Sequence, residues 1–407
     1  MKTNNPLYTV LFLLTALSAM GQDLESFMEH ARTHHPGLQA TYQLFQAEME
    51  KVNQVGILPD PTLAAGVFIR PVETRVGPQI IKLSLSQRLP WFGTLKAEKE
   101  VMRQRTLVSY EAYNLKWREL EYSIAKSWYE LNHVNQLIRY HQELLTLNES
   151  LHDLSLTKFE AGTASLASVL RIQMVIDELK IKIEGLEDLL ETKKSSFNLL
   201  INRSREETIT LPDTITSQYI QILPHDSLAG HPRLRQLSLQ QEALEKETDL
   251  IRYMGKPGIG IGLDYVMTGE RTDMVVADNG KDVLMPMVSF TLPIFRKKYH
   301  AMREEVNYRI ESNNSRQEEE MINLQKDYDL AEWQYFESVR NVALYGELVV
   351  KSTKVADLLI TEFSVSGEYL NDVLDVQEDI LNYKIKQLNA LTDRYVAAAK
   401  IKSLTGN

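Results

Sequence analysis

Two stretches of this sequence are too long, and too free of helix breakers, to belong to an ordinary globular domain. Thr94 to Lys158 contains neither proline nor glycine. Arg296 to Tyr345 contains neither as well, and Gly346 alone interrupts the run onward to Thr361. Strong helix formers dominate both stretches. At 1.5 Å per residue, about 65 helical residues would reach roughly 95 Å. Helices of that length bury their apolar residues by antiparallel coiled-coil packing or in a solenoid. Ile172, Val175, Ile176, Leu179, Ile183, Leu186 and Leu190 follow steps of three and four, as do Leu344, Leu348, Val355 and Leu359 where they are close in sequence. A plain helical bundle would show the same periodicity.

The chain also repeats itself. His35-Pro36-Gly37-Leu38 returns as His231-Pro232-Arg233-Leu234, and Pro61 returns as Pro257, both at an offset of 196. Leu85 to Pro90 returns as Val288 to Pro293, now offset by 203. Phe159 with Val169-Leu170 returns as Phe363 with Val373-Leu374, offset by 204. The order is kept, and an insertion between the proline landmarks explains the drift. The expected organisation is an export signal over 1–21, a first repeat over 22–210, a linker over 211–230 and a second repeat over 231–407. Each repeat opens with a helical segment, 23–56 or 233–254. A short β region follows, then a very long helix, a turn and a last helix. The helices are expected over 94–158, 165–202, 296–361 and 370–404.

The β regions carry an alternating pattern. Leu63, Ala65, Val67 and Ile69 alternate with small or polar residues, apart from Phe68, over 62–70. Ile81, Leu83, Leu85 and Leu89 alternate with Lys82, Ser84, Ser86 and Arg88 over 80–90. Ile259, Ile261, Leu263, Tyr265 and Met267 do the same over 258–268, and Val288, Phe290 and Leu292 over 283–293. About ten residues is the length of a tilted strand crossing a bilayer, with one face toward lipid and one toward water. Two hairpins result, with polar loops expected over Pro71–Pro78 and Gly269–Asp282. A soluble amphipathic hairpin packed on helices is the competing reading of each. Four strands cannot close a barrel alone, because the smallest spanning barrels have about eight. Closure would need several chains, and three copies would supply twelve strands.

Composition narrows the function. The formal net charge is −10, which argues against a nucleic-acid binder. There is no cysteine, so disulfides, thiolate metal sites and cysteine nucleophiles are excluded. Lys2, an apolar stretch from Leu7 to Ala19 and the small residues Ala19 and Gly21 read as an export signal cleaved before Gln22. A poor transmembrane anchor is the alternative. Beyond residue 21 no window holds 18 uncharged apolar residues, so any spanning part must be a barrel. A nucleophile elbow, a phosphate-binding glycine loop and a metalloprotease helix motif are all missing from the sequence, so no enzyme and no cofactor is expected.

Four segments then carry a resemblance: His35-Pro36-Gly37-Leu38-Gln39, Leu58-Pro59-Asp60-Pro61, Ser86-Gln87-Arg88-Leu89-Pro90-Trp91-Phe92-Gly93 and Phe159-Glu160-Ala161-Gly162-Thr163-Ala164-Ser165-Leu166. In this order, and doubled, they resemble the TolC family of outer-membrane efflux proteins over essentially the whole mature chain. The Leu-Pro-Trp-Phe-Gly version resembles the branch associated with heavy-metal export pumps. The resemblance implies a mainly α fold with a small β part. Tandem-duplicated long helices would form an α-barrel in the periplasm, and four strands per protomer would join an outer-membrane β-barrel in a homotrimer. It implies a passive conduit in outer-membrane lipid, fed by an inner-membrane pump through a periplasmic adaptor.

Site residues follow from the same resemblance. Gly162, Thr163 and Ser165 form one tip turn, and Ser366, Gly367 and Glu368 the other, with adaptor contact expected at both. Asp372 and Asp375 match the family's acidic ring at the periplasmic aperture; a solvated helix start is the plainer alternative. Some relatives latch the closed tip with an arginine near the turn, where this chain has Glu368. Lys82, Ser84, Ser86 and Arg88 are expected to face the barrel lumen. His30, His34 and His35 cluster, and His30 and His34 have a helical metal-ligand spacing, yet no acid or cysteine completes a set. Trp91, Phe92, Phe295 and Tyr299 follow the strands, either as a girdle at the lipid boundary or as packing where strand turns to helix. A periplasmic coiled-coil adaptor or scaffold is the competing function.

Overall fold

The computed structural model describes residues 24–212, 222, 224–366 and 368–405. The expected signal segment, part of the 211–230 linker and Gly367 lie outside the described residues. The elements in chain order are α1 (Leu24–His34), α2 (Pro36–Gln54), β1 (Thr62–Thr74), β2 (Gly77–Leu89), α3 (Thr94–Glu160), α4 (Leu166–Leu200), a short 3-10 helix (His225–Gly230), α5 (Pro232–Met254), β3 (Gly258–Thr268), β4 (Val283–Thr291), α6 (Arg296–Ser366) and α7 (Leu370–Leu404). The chain divides into two compact units, each drawing on both repeats.

The first unit comprises Met1–Ala40, Leu115–His231 and Ile322–Asn407. Its main core is aromatic at the centre: Phe27 of α1 lies 5.4 Å from the Trp128 ring and 5.1 Å, edge-on, from Phe197. Buried Leu120, Ile124, Leu131 and Ile138 of α3 and Ile183, Leu186 and Leu190 of α4 extend it along one helical stripe each. A second cluster joins four helices, with Leu151 of α3, Ile172 and Ile176 of α4, Phe363 of α6, and Leu370 and Val373 of α7. Phe363 and Val373 are fully buried, and each contributes about 1.5–3 kcal/mol. Gly346, the one break in the long run of α6, has a packing reason. A Cβ there would stand 2.7 Å from Gln387 Nε2, which donates to the Val342 carbonyl at 3.3 Å.

The initial helical segment is split rather than continuous. His35 separates α1 from α2 because Pro36 has no N–H to continue the α1 ladder and suits the first turn of a new helix. Asn202, in a left-handed conformation at φ 62°, donates to the His34 carbonyl at 2.9 Å and so caps the end of α1.

The second unit comprises Thr41–Asn114 and Pro232–Met321. It contains one antiparallel sheet in the order β1-β2-β3-β4. Register places Leu63, Leu85 and Leu263 in one lateral row and Ala64, Ser84 and Asp264 in the next, on the opposite face. The first hairpin is longer than its sequence indicates. β1 continues through Pro71 to Thr74, so the expected Pro71–Pro78 loop is mostly strand closed by a tight turn. A register shift between Val67 and Val72 accommodates the proline, which cannot donate to a ladder. Below the sheet, Leu244 and Ile251 of α5 pack on Val306 of α6.

Candidate functional site

Two helix-to-helix turns lie at one end of the first unit, brought together by the cluster around Phe363. At the first turn, Gly162 follows the end of α3 at φ +76°. The Gly162 N–H donates to the Phe159 carbonyl at 2.9 Å, and the Thr163 N–H to Lys158 at 2.9 Å, the paired bonds of a Schellman motif. The Thr163 hydroxyl donates back to Lys158 at 3.1 Å rather than capping the next helix. Ser165 is the N-cap: extended at φ −89° and ψ 151°, it accepts from the Ser168 N–H at 3.1 Å.

The second turn is built differently. Among the described residues of this turn, Tyr369 is left-handed, at φ 67° and ψ 19°, and it supplies no side-chain cap to α7. Non-glycine residues seldom hold this conformation. The Tyr369 carbonyl accepts from Val373 at 3.0 Å, starting the helix. Asp372 and Asp375 follow, three residues apart on an exposed face. Asp379, four residues further, continues the same face and was not singled out from the sequence, although its spacing is a helical one. Glu368 is exposed just before the helix. Arg171 of α4 donates to Asn371 Oδ1, tying the second turn to the first repeat. That arginine stands far from the turn in sequence, so no local motif points to it.

The other expected surface is the polar face of the sheet. Lys82, Ser84, Ser86 and Arg88 share one face of β2. Ser84 stands opposite Asp264, and Lys82 Nζ lies 2.5 Å from the Asp264 carboxylate. Asp264 is fully covered, whereas the Lys82 side chain remains 39% exposed. The opposite face is apolar and bare: Leu63, Val67, Ile69, Leu85, Ile261, Val288 and Phe290 are all exposed, Ile69 at 96%. β1 and β4 each have one unpaired edge, and proline enters both, Pro71 in β1 and Pro286 in β4. Among the described residues, no helix is long and apolar enough to cross a membrane.

The histidines and aromatic residues divide. His30 and His34 stack with ring centroids 4.4 Å apart. Burial, then His34, then Arg203 hold the His30 imidazole below its usual pKa, which favours neutral His30. Among the described residues, no group of three or more His, Asp and Glu side chains is placed to hold a metal ion. Trp91 meets Phe92 edge-on at 6.1 Å; Phe92 and Phe295 are exposed, whereas Tyr299 is half-buried. A polar groove of about 660 Å³ in the first unit was not anticipated. Lys126, Lys386 and Trp333 line it, and burial, then Glu337, push the Asp393 carboxyl above its usual pKa.

No protein-family model matches the chain, and no curated protein matches it in sequence. Solved structures do match in fold. The chain superposes on CusC, described through its folding and transmembrane channel formation, with a TM-score of 0.77 at 14% identity, covering 95% of this chain and 93% of that one. The outer membrane protein VceC of Vibrio cholerae matches with a TM-score of 0.75 at 15% identity, covering 94% and 96%. The open state of the MtrE outer membrane channel of Neisseria gonorrhoeae matches with a TM-score of 0.74 at 16% identity, covering 94% and 89%. The long paired helices and the four-stranded sheet are thus the protomer fold of the TolC-family outer-membrane channels.

Proposed function

We propose that this protein is the outer-membrane channel of a tripartite efflux system. Three copies pool their strands into one twelve-stranded barrel, and their helices line a periplasmic tunnel. The observation that carries this reading is the sheet: four strands of 9 to 13 residues, two unpaired edges and an exposed apolar face. An open sheet with long bare edges invites pairing with another chain. Lipid is the solvent in which such an apolar face is stable, and closure removes the edges.

The helices support the same reading. Leu166, Leu170, Met174 and Ile181 of α4, and Leu344, Val355 and Leu358 of α6, remain exposed on one chain. A cylinder wall needs such second seams, because every helix must pack on two neighbours. In this assembly Lys82, Ser84, Ser86 and Arg88 face the lumen. Asp372 and Asp375, extended by Asp379, form a ring at the periplasmic aperture that favours cations. The turns at Gly162, Thr163 and Ser165, and at Ser366, Gly367 and Glu368, are the contacts for a periplasmic adaptor. The channel is passive and is no enzyme. Drugs, metal ions or other small solutes reach it from an inner-membrane pump. The first 21 residues direct export, and the two repeats, 22–210 and 231–407, each supply one hairpin and one helix pair.

The test is to extract the protein from outer membranes in mild detergent and reconstitute it in planar bilayers. Discrete conductance steps with cation preference are expected. A protein that needs no detergent and conducts nothing would replace the channel with a periplasmic scaffold.

A further inference from the structure

His35, the first residue of the His-Pro-Gly-Leu motif, stands where two helices meet. Its N–H donates to the Ala31 carbonyl at 2.9 Å and closes the last turn of α1. Its carbonyl accepts from the Leu38 and Gln39 N–H groups at 3.1 and 3.0 Å and opens α2. The side chain adds a further bond, because the Leu38 N–H also donates to His35 Nδ1, at 3.3 Å. His35 is thus the N-cap of α2, and its ring serves one of the first N–H groups of that helix. Serine, threonine, aspartate and asparagine usually take this position, and none of them changes charge near neutral pH. Gly37 leaves room for the ring: a Cβ there would stand 3.0 Å from His35 Cε1 and 3.4 Å from Nδ1. Leu38, whose N–H is held, is fully buried.

A ring nitrogen that accepts a hydrogen bond carries no proton, so the capping imidazole is neutral, with its hydrogen on Nε2. Protonation would turn Nδ1 into a donor facing another donor, and would set a positive charge at the positive end of α2. The surroundings resist that charge. His35 is half-buried, and Lys116 of α3 is the cation that acts on it, with Glu119 3.7 Å from Lys116 Nζ on the same helix. Arg32 lies over the Trp117 ring at 5.4 Å, and His34 bonds Thr33 and the His30 carbonyl. After α4, Arg203 pairs with Glu207 at 2.5 Å, and both act on His30. Burial, then Lys116, hold the His35 imidazole below its usual pKa. A base depressed in this way contributes stability that is complete above its unfolded value, about 6.5, and is lost as pH falls through the folded value.

We propose that His35 is a titratable helix cap: neutral, it joins α1 to α2, and its protonation in acid releases the first turn of α2. Histidine is the side chain suited to such a switch, because it changes charge close to neutral pH. The place gives the switch a consequence, since the first unit's opening segment ends within α2, at Ala40, and the same helix carries the chain onward into the second unit. The device does not depend on the channel reading, because His35, Leu38 and Lys116 belong to one chain.

Hydrogen exchange of the full chain in detergent, read by mass spectrometry in neutral and in mildly acidic buffer, tests this. Rates are corrected for the pH dependence of exchange in a free chain. Exchange at 37–40 is expected to be roughly fivefold faster in acid, the effect of losing one N-cap. His35→Asn keeps an acceptor at the cap and removes the titration, so slow exchange is expected in both buffers. His35→Ala removes the cap, so fast exchange is expected in both. His30→Gln, and His300→Gln at an exposed site in α6, leave the cap in place and should keep the response of the native chain. A full acid response in His35→Asn, or none in the native chain, overturns the proposal. So does an acceleration that extends equally to the core of α3 at 120–138, which would mark global unfolding. Where His35→Asn fails to fold, the midpoint in the native chain decides: it should lie below about 6.5, and a midpoint above that value overturns the proposal.

Discussion

The two helix-to-helix turns follow Phe159 and Phe363, which are 204 positions apart, yet among the described residues they are stabilised differently. The first uses glycine for its left-handed residue, closes both backbone bonds of a Schellman motif and caps the next helix with Ser165. The second puts Tyr369 in the left-handed conformation and gives α7 no side-chain cap. The acidic face of Asp372, Asp375 and Asp379 begins just after the second turn. Backbone held in a sparsely populated conformation persists only where its surroundings enforce it. Segments that move in function are drawn from the less stable end of a structure. On the proposed channel reading, the contrast predicts a first turn that stays fixed and a charged second turn that moves more readily.

The largest expected effect is electrostatic. Replacing Asp372 and Asp375 by asparagine removes the charge beside the second turn only. A change of about one kT in potential at the aperture alters the cation-to-anion permeability ratio about sevenfold, and bilayer reversal potentials would read it. Neutralising Glu160, beside the first turn, should leave that ratio nearly unchanged; an equal effect from both would break the contrast. The next effect is Gly162→Ala. No atom lies within 4 Å of the new Cβ, so the cost is backbone conformation alone, about 1–2 kcal/mol in denaturant unfolding. Ser165→Ala should cost about 1 kcal/mol through the lost cap.

Smaller effects belong to the second turn. Arg171→Ala removes the bond to Asn371 and should cost about 0.5 kcal/mol. Hydrogen exchange should then speed up at 368–373 but not at 161–166. Tyr369→Gly should stabilise slightly, by about 0.5 kcal/mol, because relief of the left-handed strain exceeds the added freedom of the unfolded glycine. A loss of stability there would show that the tyrosine ring, not its backbone, decides the local balance.

Much of the fold is legible in the sequence because its signals are long and redundant. About 65 residues without proline or glycine leave few alternatives to a helix, and alternation in a duplicated hairpin names the apolar face. Legibility fails where a local rule is overridden. Proline at 71 suggests a loop, but a bulge on an edge strand accepts it. Tyrosine carries no signal for a left-handed residue, so Tyr369 is invisible before the structure. The partnerships of Arg171 with Asn371 and of Lys82 with Asp264 join residues about 200 positions apart, and no spacing rule reaches that far. The family resemblance points to Asp372 and Asp375, whereas only the helix face connects Asp379 to them.

The central claim is that the bare edges of β1 and β4 close on other copies of the same chain. The native sequence has no cysteine, so engineered pairs report without background. Single cysteines placed along β1 from Leu63 to Ile69, each combined with one at Val288 in β4, would be oxidised in the membrane and the products separated by mass in denaturant. The account predicts cross-links between chains at one matched register, in a ladder that ends at three copies. Cross-links confined within single chains, or none at any register, would contradict it.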